Sequence, residues 1–228
     1  MMLRRFMNGF WISMVIVGSV VSIGGYGVVE AKDMQTTKVS GEIQQNAEEF
    51  IQNLGNRAIE VIKRSGITEK EVQQEFCSLL KENFAVESIA KYSLGKNFRL
   101  LSEEEKKDFV ECFEKMLVRF YSSRFSEYNS AKFEVVADHS KKRTDKKALI
   151  NSKVTISSTK DKKNKEIFIK WTVFLSKGSL KIYDVAISDV SISNVQRSEF
   201  MSQISKKGLK RFLADFRKKY GQNEEQKQ

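Results

Sequence analysis

From Lys165 to Phe200 apolar and polar side chains take turns along the chain. Ile167, Ile169, Trp171, Val173 and Leu175 hold alternate positions, with Lys170, Thr172 and Ser176 between them, and this period of two predicts a strand with one covered face. After a Lys177-Gly178-Ser179 turn come Leu180, Ile182, Tyr183, Val185 and Ile187, so the pair reads as an antiparallel hairpin. A sheet face this apolar needs a cover.

Elsewhere the period lengthens to that of a helix. Phe50, Ile51, Leu54, Ala58, Val61 and Ile62 recur at helical spacing up to Ser65-Gly66. Thr68 and Glu71 have the spacing of a capping box, in which hydroxyl and carboxylate each satisfy a free amide, and a helix burying Val72, Phe76, Leu79 and Leu80 is expected after them. A shorter helix is expected over Val86 to Leu94, stopped by Gly95. Ser102 and Glu105 repeat the capping box and open the longest helix, from Glu103 to about Tyr128. On it Phe109, Val110, Phe113, Met116, Leu117, Phe120 and Tyr121 share one broad arc, with Glu111, Lys115 and Arg119 opposite. That arc is the expected cover for the hairpin. Near the helix end Arg124 projects close to the centre of the arc, where an arginine ordinarily reaches out to water or bonds the last carbonyls.

Phe133 and Val135 predict one further strand and Ile150, Val154 and Ile156 another, across a basic loop from His139 to Lys147. Beyond Gln196 the helical period returns through Phe200, Ile204, Leu209, Phe212, Leu213, Phe216 and Tyr220. Helices, a meander and helices again predict an α+β fold: an antiparallel sheet of about four strands with helices packed on one face.

At the N-terminus Arg4 and Arg5 precede an uncharged run from Phe10 to Val29, closed by Val29-Glu30-Ala31. This is the pattern of a secretory signal peptide over residues 1–31, cut after Ala31. The alternative is an inner-membrane anchor through residues 10–29, since the run is long for a signal, though Gly18, Gly24, Gly25 and Gly27 weaken a helix there. Residues 32–42 are polar and aperiodic and read as a flexible leader, 43–221 as the folded domain, and 222–228 as a polar tail.

With 228 residues, 40% of them apolar and 11% aromatic, the chain can build a proper core. A formal charge of +11 favours anionic partners without choosing among them, and export disfavours nucleic acid. Catalytic patterns are scarce. The single histidine, His139, lies among lysines, so it assembles neither a Ser-His-Asp arrangement nor a metal site, and there is no phosphate-cradling glycine loop and no CxxC. Cys77 and Cys112 are either a pair or two small buried thiols. Asp184, beside Tyr183, is the candidate acid/base of a carboxylate-only enzyme, for which the fold must supply a second group. A binding protein is therefore favoured over an enzyme.

Two segments resemble the MlaC family: Asn83 to Tyr128, and LKIYDVAISDVSISNVQRSEFMSQISKKG from Leu180 to Gly208. The resemblance runs in order from about Ala47 to Tyr220. It is carried by Ile89-Ala90, Leu94-Gly95, Leu101-Ser102, Phe109, Tyr121, Tyr183-Asp184-Val185, Val190-Ser191 and Gln196-Arg197 followed by Phe200. Departures are Ala85 in place of an aspartate, Phe98 and Leu180 in place of tryptophans, and Asp189 in place of a glycine.

The resemblance implies a periplasmic phospholipid carrier, also described as an ABC-transporter auxiliary or toluene-tolerance protein. Such a carrier works between an outer-membrane lipoprotein–porin complex and an inner-membrane MlaFEDB-type ABC transporter, maintaining outer-membrane asymmetry. It implies no enzyme and no cofactor, with bound phospholipid as cargo in an apolar cavity. A lipid chain exposed to water costs about 0.8 kcal/mol per methylene, so the tails must be hidden in transit. On this reading the cavity is lined by Phe109, Phe113, Met116, Leu117, Phe120 and Tyr121 from the long helix and by Ile169, Trp171, Val173, Ile182 and Val185 from the sheet. Arg124 becomes the candidate for the lipid phosphate, because a guanidinium fork suits that group. The alternatives are a small-molecule enzyme on a cone-shaped α+β fold with Asp184 as acid/base, and a membrane-anchored basic interaction domain with a filled core.

Overall fold

The structure, a computed structural model, describes residues 32–64, 66–122, 131–136, 146–156 and 165–221. The chain divides into two units, Met1–Asp33 and Met34–Gln228, and the sheet and the residues of both cores belong to the second. Helix α1 spans Lys32–Lys63, α2 Glu69–Asn83 and α3 Val86–Leu94, followed by a 3-10 stretch, Gly95–Leu100, and α4, Glu103–Ser122. Strands β1 (Ala131–Val136), β2 (Lys147–Ile156), β3 (Lys165–Ser176), β4 (Ser179–Ile187) and β5 (Val190–Ser191) come next, and α5 (Ile192–Lys207) and α6 (Leu209–Tyr220) end the fold.

Local chemistry sets most of these boundaries. At α2, Glu71 N–H donates to the Thr68 hydroxyl at 3.2 Å while Thr68 N–H donates to the Glu71 carboxylate at 2.8 Å. Ser102 and Glu105 do the same at α4, at 3.1 and 2.8 Å. Gly95 closes α3 at φ +60°, a conformation that costs glycine little. Helix α3 lacks a side-chain cap at Ala85, whose N–H instead donates to the Ile182 carbonyl on β4 at 2.9 Å.

The five strands pair antiparallel in the order β1-β2-β3-β4-β5. Lys177 and Gly178, both at positive φ, make the tight turn of the β3–β4 hairpin, as a two-residue connection requires. Ser188 and Asp189 repeat that geometry at φ +49° and +64° and lead into β5. Asp189 thus takes the left-handed conformation where the resemblance leads one to expect glycine, and its carboxylate meets Lys170 Nζ at 2.5 Å. The short β5 is the strand missing from a count of about four. Two residues are too few to show a period, and because β5 ends at Ser191 the last helices begin at Ile192, earlier than Gln196.

Two cores form. In the first, Ala47, Ile51 and Leu54 of α1, one helical face, bury themselves against Ala148, Ile150, Val173 and Ile182 of the sheet, with Leu79 of α2. Each fully buried aliphatic side chain of this kind contributes about 1.5–3 kcal/mol. The helix covering the sheet face is therefore α1, at 32 residues longer than the 20 residues of α4, which corrects the expectation that the helix opening at Glu103 is both the longest and the cover. In the second, Phe98, Phe109, Phe113, Phe200, Phe212 and Phe216 gather with Leu80, Leu94 and Met116 among α2 to α6. The arc of α4 is claimed by the aromatic stripe of the C-terminal helices, whose own apolar faces need a partner. Residues 32–42, expected as a flexible leader, are helical and form the start of α1.

The sheet joins the helices along β4. Asp184, Ala85 and a parallel bridge between Phe84 and Ile182 tie β4 to α5 and to the α2–α3 link, while Ala186 and Ile187 pair with β5. This occupies an edge that would otherwise offer its backbone groups to other chains. Phe84 packs against both cores.

Candidate functional site

Residues opposite one another across an antiparallel ladder share a face. On the covered face Ala148 stands opposite Val173, Ile150 opposite Trp171, and Ser152 opposite Ile169. Across the next ladder Trp171 stands opposite Val185 and Ile169 opposite Ile187. Between Thr172 and Val173 the register slips, so that Val173 meets Ile182 and Tyr183 becomes the extra residue of a bulge.

Burial along this face is uneven. Val173 and Ile182 are 0% exposed and Ile150 is 1% exposed, sealed by α1 and Leu79. Trp171, Val185, Ile169 and Ile187, a two-by-two block on the adjacent strands β3 and β4, remain half-buried. The polar side chain in register with this block is Ser152, fully buried, and its hydroxyl accepts the Trp171 indole N–H at 2.8 Å. The indole also stands edge-on to Phe133, centroids 6.3 Å apart. A half-open apolar block beside a sealed core can take up apolar surface.

The sequence-expected lining residues separate into three groups. Ile169, Trp171 and Val185 lie in the half-open block, where Ile187, read from the sequence as a strand position but not as lining, completes the set. Val173 and Ile182 lie on the same face but are packed under α1. The α4 residues are divided. Phe109, Phe113 and Met116 are buried in the helical core, Phe109 with ring centroids 5.4 Å from Phe216 and 6.0 Å from Phe200, so these three do not meet Trp171. Leu117 is half-buried at the edge of that core. Phe120 and Tyr121 are half-buried and stand edge-on at 5.0 Å, and Tyr121 stacks on Phe76 at 6.4 Å. Arg124 and His139 lie outside the described residues.

Asp184 points away from the apolar block, on the side of Thr172. Its carboxylate accepts the Ser193 N–H at 3.1 Å and the Ser193 hydroxyl at 2.7 Å, holding the first turn of α5. This is a structural role for the residue considered as a base. Cys77 and Cys112 are free thiols, not a disulfide. Burial raises both above the ordinary thiol range, Cys77 with Glu114 beside it, which suits neither to act as a nucleophile. Hydrogen bonding to Glu114, with its charge, raises Lys81 in turn. Among the described residues no group of three or more His, Cys, Asp or Glu side chains is placed to hold a metal ion, and no helix is long and apolar enough to cross a membrane.

Two of the sequence segments that carry the resemblance meet in space. Arg197 donates to the Tyr92 carbonyl at 2.9 Å, and its guanidinium lies 4.9 Å from the Tyr92 ring centroid. A Cβ on Gly95 would come within 3.1 Å of the same group. Gly95 and Arg197 are therefore one device, a cation at the C-terminal end of α3 for which the chain leaves room.

These features define an α+β domain with a one-sided antiparallel sheet whose apolar face is only partly closed. Residues 52–218 match the family described as MlaC protein, and the chain belongs to that family. Among solved structures it is similar to a phospholipid-binding protein from Ralstonia solanacearum in complex with a phospholipid. The TM-score is 0.64 at 17% identity, over 77% of this chain and 99% of that one. No curated protein matches the sequence.

Proposed function

We propose that this protein is a periplasmic phospholipid carrier, with an acyl tail lying against Ile169, Trp171, Val185 and Ile187. The observation that carries the reading is the half-open apolar block on β3 and β4 beside Ile150, Val173 and Ile182, which α1 seals. Membership of the MlaC family and the phospholipid complex of the Ralstonia solanacearum protein support it. Moving a tail from a bilayer into such a site exchanges one apolar environment for another, so loading and release need no covalent step. The donor and acceptor on this reading are an outer-membrane lipoprotein–porin complex and an inner-membrane MlaFEDB-type ABC transporter, with nucleotide hydrolysis left to the transporter. Residues 1–31 serve as the export signal. Arg124 is the proposed contact for the phosphate, and Phe120, Tyr121 and Leu117 are the α4 side chains proposed to reach the lipid.

Lipid extraction from the detergent-free purified protein tests the proposal. The expected result is about one phospholipid per chain, and a chain free of phospholipid contradicts it.

A further inference from the structure

The geometry points to Trp171, pinned by Ser152, as the stop against which the methyl end of a bound acyl chain rests, and so as the residue that limits chain length. The inference rests on the carrier reading and adds to it the depth of the site.

Three observations carry it. First, Trp171 stands at a boundary: Ile169 and Ile187 to one side are half-buried, whereas Val173 and Ile182 to the other are fully enclosed under Ala47, Ile51, Leu54 and Leu79. A chain advancing along β3 toward the hairpin turn meets the indole and then filled core. Close-packed interior does not yield to another methylene without strain, so the chain must end there. Second, the indole is held. Its N–H donates to the Ser152 hydroxyl at 2.8 Å and its ring stands edge-on to Phe133, which leaves little rotamer freedom with which to swing aside. Third, the Ser152 hydroxyl is fully buried among apolar neighbours, a placement that costs free energy unless it is bonded, and its partner is Trp171. A serine at that position is explained by what it does to the tryptophan.

The chain contains two tryptophans, Trp11 and Trp171; on the carrier reading Trp11 leaves with the export signal, and a Trp11→Phe substitution removes it where the signal is retained, so Trp171 is the sole tryptophan. The Trp11→Phe protein, purified as it is exported, is incubated with vesicles of phosphatidylglycerol brominated near either the methyl end or the carboxyl end of the chain. It is separated from the vesicles and assayed for bound phosphate and tryptophan emission. Bromine quenches on contact, so methyl-end bromines are expected to quench Trp171 several-fold more than carboxyl-end bromines at equal lipid content. Equal quenching, or stronger quenching by the carboxyl-end label, overturns the inference while leaving the carrier reading intact. Absence of bound phosphate in both samples overturns the carrier reading itself. In the Ser152→Ala variant the difference between the two labels, compared at equal bound phosphate, is expected to shrink. An unchanged difference removes Ser152 from the device.

Discussion

Asp184 on β4 accepts two hydrogen bonds from Ser193 on α5, one from its backbone N–H at 3.1 Å and one from its hydroxyl at 2.7 Å. One carboxylate thus fastens the sheet to the C-terminal helices at the point where the chain leaves β5. Asp184→Ala is expected to lower stability by about 1–2 kcal/mol, as loss of a helix-start cap does, and to leave lipid content per folded chain unchanged. Urea denaturation with lipid analysis of the folded fraction checks both halves.

Gly55 faces β1 so closely that a Cβ there would lie 2.1 Å from the Phe133 ring. Gly55→Ala removes the helix-weakening glycine from α1 but forces the Phe133 ring, which stands edge-on to Trp171, to shift, and overpacking of this kind costs about 1–3 kcal/mol. The variant is expected to melt lower than the natural protein, and Gly55→Ala with Phe133→Leu to recover much of the loss. Thermal unfolding of the pair decides it.

The Arg197 guanidinium serves Tyr92 twice, through its carbonyl and over its ring. Arg197→Met keeps most of the stem and loses both contacts, with an expected cost of about 1–2 kcal/mol. Arg197→Lys is expected to recover only part, because an ammonium lacks the planar fork. Chemical denaturation of the two variants gives the order.

Hydrogen bonding by the Thr68 hydroxyl and then its amide holds Glu71 below the ordinary glutamate value. A carboxylate lowered in the folded state binds fewer protons there than in the unfolded chain. Its contribution is therefore complete above the unfolded value of about 4.3 and is lost as pH falls through the lower folded value. Stability measured against pH is expected to fall less steeply in this acid range for Glu71→Gln than for the natural protein. Identical slopes contradict it.

Short-range chemistry is legible in this sequence. The Thr68–Glu71 and Ser102–Glu105 boxes, the Gly95 stop and the Lys177-Gly178 turn depend on neighbours within a few residues, and each can be read from the residues alone. Which apolar face meets which cannot, because Ile51 and Leu54 on α1 carry the same helical signature as Phe109 and Phe113 on α4. The choice is made by the aromatic stripe Phe200, Phe212 and Phe216, a partner nearly a hundred residues away that no local period reports. Hence strand alternation puts Trp171, Ile169 and Val185 on one sheet face, while helical periodicity puts Phe109, Phe113 and Met116 on one helix face without reporting that the C-terminal helices cover it. Ile187 is legible as an apolar position of the second strand, but only its register opposite Ile169 places it beside Trp171 and Val185.

The central claim is that the half-open block on β3 and β4 holds a lipid tail, and native mass spectrometry of the natural protein beside Ile169→Glu tests it most directly. The natural chain is expected to carry the added mass of a phospholipid, and the variant, with a carboxylate set into the block, to lose most of that occupancy at the same folded fraction. Bare mass for the natural protein, or equal lipid occupancy in both, contradicts the claim.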